Sequence, residues 1–194
     1  MMDALTCFKA YDIRGRLGDE LNEDIAYFIG HAFAEVLAAK RVVLGRDIRP
    51  TSEGLQAALA RALREAGVDV LDLGLAGTEE MYFATGHVGA DGGIMVTASH
   101  NPIDYNGMKM VRADAAPVGA DTGLGEMKSL AEAKFTRKAD TPGRLVDAVA
   151  TRSAYVERVL SFVDPRQIGP VRIVANSGNG ASGPTFDAVL EGLV

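Results

Sequence analysis

The sequence has few of the residues that build disulfides or metal clusters. It contains one cysteine and three histidines among 194 residues. The single cysteine, Cys7, excludes an intramolecular disulfide and any site made of several cysteines, and a buried Cys7 would serve as a small apolar core residue. No apolar run approaches the ~20 residues that span a bilayer, and residues 1–10 lack the apolar stretch of a signal peptide. We therefore expect a cytoplasmic protein with no membrane partner.

Positively charged residues are also fewer than negatively charged ones. The 20 Lys and Arg residues are outnumbered by 26 Asp and Glu residues, so the net charge is −6. Such a chain has no general attraction for phosphate backbones or anionic lipids, and no nucleic acid partner is expected. Hydrophobic residues make up 47% and charged residues 24%, which is close to the globular average and sufficient for a sizeable core. The length corresponds to roughly 1.3 domains of about 150 residues.

The first part of the chain alternates amphipathic helical patterns with short apolar runs that are rich in β-branched residues. This alternation predicts an α/β fold with a mixed, mostly parallel sheet that has helices on both faces. The Asn106-Gly107 pair is typical of a turn, after which the chain is expected to return as an edge strand that could be antiparallel. The predicted helices cover residues 25–37, 52–66, 78–87 and 124–133, and the predicted strands cover residues 41–45, 68–73, 94–97 and 108–111.

The α/β pattern stops and starts again after a polar segment. Residues 135–143 are rich in polar residues and contain a Pro-Gly pair, which is typical of a linker. We place a domain boundary there, with one domain over residues 1–139 and the linker with an incomplete second domain over residues 140–194. The second part predicts a helix over 153–163, a strand over 171–175 and a final helix. One strand and two helices cannot complete a sheet, so a truncated second α/β domain and self-association through its exposed apolar face are expected.

The strongest chemical signal lies in the segment Thr97–Pro102. It places Ser99 at the carboxyl end of a predicted parallel strand, which is the edge where α/β sheets bind ligands. Serine needs a base or a charge-stabilising neighbour to act as a nucleophile, and His100 and Asn101 are the nearest candidates. The alternative is an ordinary strand-ending turn. A serine hydrolase is disfavoured because the Gly-x-Ser-x-Gly elbow is absent and because His100 would point away from Ser99 along an extended segment.

Two basic residues and one loop form a second group of candidates. Arg14 could bind a phosphate in a bidentate manner, or it could simply pair with Asp12. Residues 46–50 join a strand to a helix at the same edge, where an internal Arg–Asp network is favoured over substrate contact. Lys109 could neutralise a phosphate or act as a base, although most lysines are solvated.

Other polar positions are better explained by structural roles. Residues 176–180 could cradle an anion at a helix N-terminus but lack the complete phosphate-loop pattern, so a structural turn is favoured. His31 and His87 are expected to be structural. Asp69 and Asp72 should lie on opposite faces of a strand, and no carboxylate cluster in the sequence is typical of a metal site.

Several motifs together, in this order, resemble the α-D-phosphohexomutase superfamily. Additional segments resemble the branch of that superfamily that acts on mannose phosphates, namely residues 77–80, 82–85 and 176–180. Members are more than twice as long and have four domains, so the chain resembles the first domain and the start of the second. The motifs are Phe8–Gly15, Gly45–Asp47, Thr97–Pro102 and Tyr105–Lys109.

The resemblance implies roles for the residues that match the superfamily's motifs. Ser99 would be phosphorylated, donate its phosphoryl group to a phosphosugar and recover one from the bisphosphate. His100 and Lys109 would transfer a proton or stabilise charge. The residues expected to line the site are Tyr11, Arg14 and Asn101.

The resemblance also implies cofactors and an activity. Mg²⁺ would be bound by the Ser99 phosphate and by three aspartates of a loop that this chain lacks, and glucose or mannose 1,6-bisphosphate would serve as activator. The implied reaction interconverts mannose 6-phosphate and mannose 1-phosphate for GDP-mannose synthesis, with the isolated chain inactive. The alternatives are a phosphoglucomutase, a dual-specificity phosphohexomutase and a non-catalytic phosphosugar-binding fragment.

Overall fold

The computed structural model describes residues 4–177 and 180–193, which form one mixed six-stranded sheet with helices on both faces. The strand order is β1-β5-β4-β2-β3-β6. Strands β4, β2, β3 and β6 run parallel, whereas β5 is antiparallel to both of its neighbours. The strands are β1 (Ile13–Arg16), β2 (Arg41–Arg46), β3 (Asp69–Leu75), β4 (Gly92–Val96), β5 (Tyr105–Arg112) and β6 (Leu145–Asp147).

Six α-helices connect or follow these strands. Helix α1 begins where the Asn22 side chain accepts a hydrogen bond from the Ile25 amide at 2.9 Å, as expected for an N-cap. The helices are α1 (Glu23–Val36), α2 (Ser52–Glu65), α3 (Thr78–His87), α4 (Leu124–Glu132), α5 (Thr151–Leu160) and α6 (Gly183–Glu191). The first four match the predicted helices to within a few residues. None of the described helices is long and apolar enough to cross a membrane.

The central strand β2 divides the core into two parts because its side chains alternate between the faces of the sheet. Val42 and Leu44 belong to the larger core, which also contains the buried faces of α1, α2 and α4. Val43 belongs to the smaller core against α3. Burial on both faces explains why β2 is a continuous apolar run, and the predicted α/β fold is confirmed.

The turn predicted at Asn106-Gly107 is wrong, because both residues lie inside β5 and are buried. A Cβ atom on Gly107 would lie 2.2 Å from the carbonyl oxygen of Ile13 in β1, so glycine is needed for close strand approach. The Asn106 side chain donates hydrogen bonds to the hydroxyls of Thr51 and Ser52, at 3.0 Å each. Long-range contacts therefore override the local turn preference.

The polar segment after α4 is attached to the first part of the chain. The amides of Ala139 and Gly143 donate hydrogen bonds to the carbonyls of Glu65 and Arg64 at the end of α2, each at 2.8 Å. The chain then forms β6, an edge strand that no sequence pattern predicted. The sheet thus continues to Asp147, and the division into two domains near residue 139 stays a prediction.

The strand predicted over 171–175 is wrong, since these residues are irregular and exposed. Val174 is 97% exposed. An isolated strand has no partner for its backbone groups, so an apolar run alone does not form one. Of the predicted loop over 176–180, residues 178 and 179 lie outside the described residues.

Candidate active site

The candidate nucleophile Ser99 lies in the exposed loop that follows β4, at the carboxyl edge of the parallel strands. Its backbone is left-handed, with φ of 52°. The Ser99 amide donates a hydrogen bond to the Thr97 hydroxyl at 2.9 Å, and the Asn101 amide closes a turn onto the Ala98 carbonyl at 3.0 Å. A residue with a side chain adopts this backbone at a cost of about 1 kcal/mol, so the surrounding contacts must hold it there.

The left-handed turn brings His100 towards Ser99. The Ser99 Oγ lies 3.5 Å from His100 Nδ1. The expectation that His100 points away from Ser99 is wrong, because it assumed an extended segment and the chain reverses direction at Ser99. The contact is longer than an ordinary hydrogen bond, and both side chains are exposed. His100 is therefore placed where it can reach a proton on the Ser99 hydroxyl after a small movement.

Residues 97–104, between β4 and β5, form the serine loop. Arg14 lies in β1 and contacts the base of this loop. Its guanidinium donates a hydrogen bond to the Ala98 carbonyl and pairs with the Asp12 carboxylate at 3.0 Å. The predicted Asp12–Arg14 pair is thus present, and both side chains are mostly buried. The Asn101 side chain donates to the same Ala98 carbonyl at 3.0 Å. Arg14 and Asn101 therefore meet under the loop that carries Ser99.

Two further predicted residues lie at the same end of the molecule without contacting Ser99. Tyr11 is 81% exposed in the loop before β1. Lys109 lies in β5 opposite Met95, and the strand register places it on the same sheet face as Arg14. Among the described residues the side chain of Lys109 makes no hydrogen bond or ion pair, so its charge is not neutralised by a protein partner. The geometry brings Arg14, Asn101 and His100 to the serine loop but leaves Lys109 and Tyr11 apart from it.

Arg49 is a further residue that contacts the serine loop, and from the sequence it was considered only as part of the loop over 46–50. The predicted Arg–Asp network is present, since Arg49 Nε lies 3.6 Å from an Asp47 oxygen. However, the same guanidinium also donates to three backbone carbonyls of the serine loop and to the carbonyl of Tyr105, where β5 begins. The sequence does show a basic residue just after a strand at the ligand-binding edge. It does not show which groups Arg49 contacts, because these lie about fifty residues away in the chain.

A polar network fixes the position of Asp47. One Asp47 carboxylate oxygen accepts hydrogen bonds from the Arg49 amide at 3.0 Å and from the Ser52 hydroxyl. Ser52 is the first residue of α2 and accepts from the buried Asn106 side chain in β5. The loop after β2, the start of α2 and the start of β5 are thus joined under the serine loop.

The described residues do not contain a protein-only metal site. No group of three or more His, Cys, Asp or Glu residues is arranged to bind a metal ion within residues 4–177 and 180–193. Asp69 pairs instead with Arg144, which lowers the pKa of that carboxyl group, and Asp72 accepts a hydrogen bond from Gln56. Both aspartates are used structurally.

Comparison with known proteins shows the same family throughout. A sequence model described as phosphoglucomutase/phosphomannomutase, alpha/beta/alpha domain I, matches residues 6–136. The chain is 56% identical over 189 residues to proteins named phosphomannomutase from Salmonella montevideo and from Escherichia coli K12, and the match covers 97% of this chain and 41% of each relative.

A solved structure gives the same result. The crystal structure of a phosphoglucomutase/phosphomannomutase family protein from Burkholderia thailandensis is 35% identical, with a TM-score of 0.80 over 99% of this chain and 43% of that chain. The chain therefore spans about two fifths of the length of these three relatives. With the family's first domain matched over residues 6–136 and the expected mixed sheet in place, the chain belongs to the phosphoglucomutase/phosphomannomutase family.

Proposed function

We propose that the chain is the part of a phosphomannomutase that carries the phosphorylated serine, and that Ser99 is that serine. The complete enzyme would interconvert mannose 6-phosphate and mannose 1-phosphate and supply GDP-mannose synthesis. The exposed Ser99 at the carboxyl edge, held in a left-handed turn by contacts with its own loop, carries this proposal. The 56% identity to relatives named phosphomannomutase supports the choice of sugar.

The proposed reaction moves one phosphoryl group in each direction. The bond between the Ser99 oxygen and phosphorus breaks while a bond forms from phosphorus to a hydroxyl oxygen of the phosphosugar. The sugar hydroxyl proton passes to a base, and the released Ser99 oxygen takes up a proton. The bisphosphate then returns its other phosphoryl group to Ser99. Such transfers depend on in-line positioning and on cations near the phosphoryl oxygens.

The chain's own residues supply part of this chemistry. His100 Nδ1 lies 3.5 Å from the Ser99 oxygen. His100 can therefore give this oxygen a proton when the phosphoryl group leaves and remove that proton when a phosphoryl group returns. Lys109 offers a positive charge without a protein partner on the sheet face that it shares with Arg14, so we propose that it contacts the phosphosugar or its phosphate. Arg14 and Asn101 shape the loop, and exposed Tyr11 would border the sugar.

Among the described residues, phosphorylated Ser99 is the one ligand that we propose for magnesium. When bound, the cation would neutralise charge on the phosphoryl oxygens. The described residues offer a single ligand, the phosphate on Ser99, and no cluster of carboxylates to complete the site. The residues present therefore do not form the site on their own. Glucose or mannose 1,6-bisphosphate is proposed as the activator that phosphorylates Ser99.

A second candidate function is a phosphoglucomutase or a dual-specificity phosphohexomutase. The matching family description names both sugars, and a relative from Xanthomonas campestris that is 50% identical is named for phosphohexose mutases. Because the isolated chain covers two fifths of its relatives, we expect no turnover from it alone, and a phosphosugar-binding role is the remaining alternative. A cytoplasmic location and self-association through the exposed apolar residues of 168–174 complete the proposal.

The first test is phosphoryl uptake by the isolated chain. Intact mass and peptide mapping would follow incubation with glucose 1,6-bisphosphate and Mg²⁺, using Ser99→Ala as the negative variant and Ser129→Ala, on the exposed face of α4, as the control. One phosphoryl group on Ser99, retained in the control and lost in Ser99→Ala, would support the proposal. Uptake at another residue would contradict it.

The second test is turnover in a complete enzyme. A chimera would join this chain to the remaining three fifths of the E. coli relative and be assayed with mannose 1-phosphate and glucose 1-phosphate. We expect preference for mannose 1-phosphate and loss of both activities on Ser99→Ala. Equal rates would favour the dual-specificity alternative, and near-normal activity of Ser99→Ala would exclude the covalent role.

A further inference from the structure

The serine loop is held from below by one guanidinium. Arg49 donates hydrogen bonds to the carbonyls of Ser99 at 2.9 Å, of Pro102 at 2.7 Å and of Tyr105 at 3.1 Å, and to the carbonyl of Asn101. The Arg49 side chain is only 12% exposed. Its donors are therefore directed at the backbone of the loop, and little of the group is open to a substrate.

Arg49 is itself held by the scaffold. Its Nε lies 3.6 Å from an Asp47 oxygen, and its own amide donates to the other Asp47 oxygen at 3.0 Å. Asp47 follows β2 directly and accepts a hydrogen bond from the Ser52 hydroxyl at the start of α2. The guanidinium is thus held by the residue that follows the central strand β2 and by the start of α2, and both elements pack in the larger core.

These contacts act on the backbone of the candidate nucleophile. The Ser99 carbonyl is bound by Arg49, and the Ser99 amide is bound by the Thr97 hydroxyl at 2.9 Å. Both peptide groups that flank Ser99 are therefore restrained, while its φ of 52° lies in a region that residues with side chains avoid. Without these restraints, the loop would gain freedom and the serine hydroxyl would change direction.

We propose that Arg49 is a positioning residue for phosphoryl transfer, which fixes the backbone of Ser99 from beneath the loop without contacting the sugar. The inference rests on the function proposed above for Ser99. Arginine suits the role because its planar fork presents five N–H donors in fixed directions, whereas the lysine ammonium is compact and cannot reach four carbonyls at once. Arg49→Lys therefore preserves the charge and removes the geometry.

The first experiment measures the loop itself in the 194-residue chain. NMR would report the Ser99 φ angle through its three-bond coupling, and amide exchange would report the protection of residues 99–105. Arg41→Lys is a matched control, because Arg41 also donates to two backbone carbonyls, those of Val88 and Gly89, at the opposite edge of the sheet. We expect Arg49→Lys to shift Ser99 towards negative φ and to raise loop exchange at least tenfold, with Arg41→Lys unchanged in the loop.

The second experiment measures catalysis in the chimera with the E. coli relative. We expect Arg49→Lys to lower kcat about 100-fold, because small misplacements of a reacting group have effects of this size, with KM changed less than twofold. A purely structural role would lower activity only in proportion to the folded fraction, which thermal unfolding measures. If Arg49→Lys does not fold, Asp47→Asn loosens the same guanidinium and should shift Ser99 φ and kcat in the same direction by a smaller factor.

The outcomes separate this inference from the proposed function. A wild-type Ser99 φ and wild-type kcat in Arg49→Lys, or an effect on KM alone, would overturn the positioning role. A chimera that is inactive with wild-type Arg49, and that takes up no phosphoryl group, would contradict the proposed function. The NMR comparison would still decide whether Arg49 sets the Ser99 backbone.

Discussion

Two apolar segments of similar composition adopt different structures in this molecule. The strand β2 carries Val42, Val43 and Leu44 at the centre of the sheet, where each is at most 1% exposed. Residues 171–174 carry three apolar residues as well, but they form no strand, and Val174 is 97% exposed. The difference is the presence of partners, since β2 pairs with both β3 and β4. Apolar composition favours a strand, but neighbouring strands are needed to form one.

The same contrast separates the helices. Helix α1 buries eight residues against the sheet and its neighbours, whereas α5 buries only Val156 and α6 has no buried residue. Both C-terminal helices nevertheless contact one buried carboxylate of α3. Glu80 in α3 pairs with Arg152 of α5 at 2.9 Å and accepts a hydrogen bond from Thr185 of α6 at 3.2 Å. The first region, residues 4–147, is therefore stabilised by packing. The second region, residues 148–177 and 180–193, depends on a few specific contacts.

A glycine-to-alanine substitution adds one methyl group. Its effect on the free energy of unfolding should be the largest of those predicted here and should differ most between the two regions. Gly107→Ala places a Cβ against the Ile13 carbonyl in the paired strands, so we expect a loss of about 3 kcal/mol in the free energy of unfolding. Gly169→Ala meets no atom within 4 Å in the second region and should change stability by less than about 0.5 kcal/mol. Urea denaturation of both variants measures the difference, and equal effects would contradict the packing contrast.

A valine-to-alanine substitution removes two methyl groups and can be made in each region, so it tests the same difference in packing. Val43→Ala empties a site in the smaller core and should cost about 2 kcal/mol, whereas Val174→Ala removes exposed methyl groups and should cost almost nothing. The measurement is again chemical denaturation of the 194-residue chain. A loss of more than about 1 kcal/mol in Val174→Ala would show that residues 171–174 are covered, for example by self-association.

The contact between the two regions should have a smaller effect. Glu80→Gln removes the charge that pairs with Arg152, and we expect a loss of about 1.5 kcal/mol. Hydrogen exchange should accelerate in α5 while the amides of β2 keep their protection. Arg166→Gln serves as the control, since its ion pair with Asp164 is exposed and its loss should leave exchange unchanged. Unchanged protection of α5 in Glu80→Gln would show that other contacts hold this helix, such as the hydrogen bond from Arg152 to the Leu75 carbonyl and the contact of Tyr155 with Phe83.

The smallest predicted effect is a dependence on pH in the first region. Burial lowers the pKa of His31, which is fully buried, and nearby Arg137, Lys138 and Arg61 act in the same direction, while Glu65 opposes them. The neutral form is favoured by folding, so this stabilisation is fully present above a pH of about 6.5 and declines as the pH falls below it, by at most about 1.4 kcal/mol per pH unit.

This pH dependence can be assigned by substitution. His31→Gln should flatten the fall in the free energy of unfolding between pH 6.5 and 5, while His87→Gln, at an exposed position, should leave it in place. Residues 148–194 contain no histidine, so exchange in α5 should not respond over this range through a histidine of its own. An unaltered pH profile in His31→Gln would exclude His31 as the source.

Much of the fold could be predicted because local patterns determine local structure. The spacing of apolar residues predicted α1 to α4, and short β-branched runs predicted β2, β3 and β4 close to their observed bounds. Strand β6 was missed because it has only three residues and no alternating pattern. The Asn106-Gly107 turn was predicted wrongly because turn propensity is local, whereas the hydrogen bonds of Asn106 to α2 are not.

The candidate site divides in the same way. The sequence by itself determined that Ser99 follows a buried parallel strand and therefore lies at the ligand-binding edge, and it identified Arg14, His100 and Asn101 as neighbours in their motifs. Only the tertiary structure decided that Ser99 adopts a left-handed backbone and that Arg49, fifty residues earlier, holds its carbonyl. The physical reason is the separation along the chain over which each interaction acts. Hydrophobic periodicity acts over a few neighbouring residues, whereas hydrogen bonds between distant loops exist only after the sheet has brought the loops together.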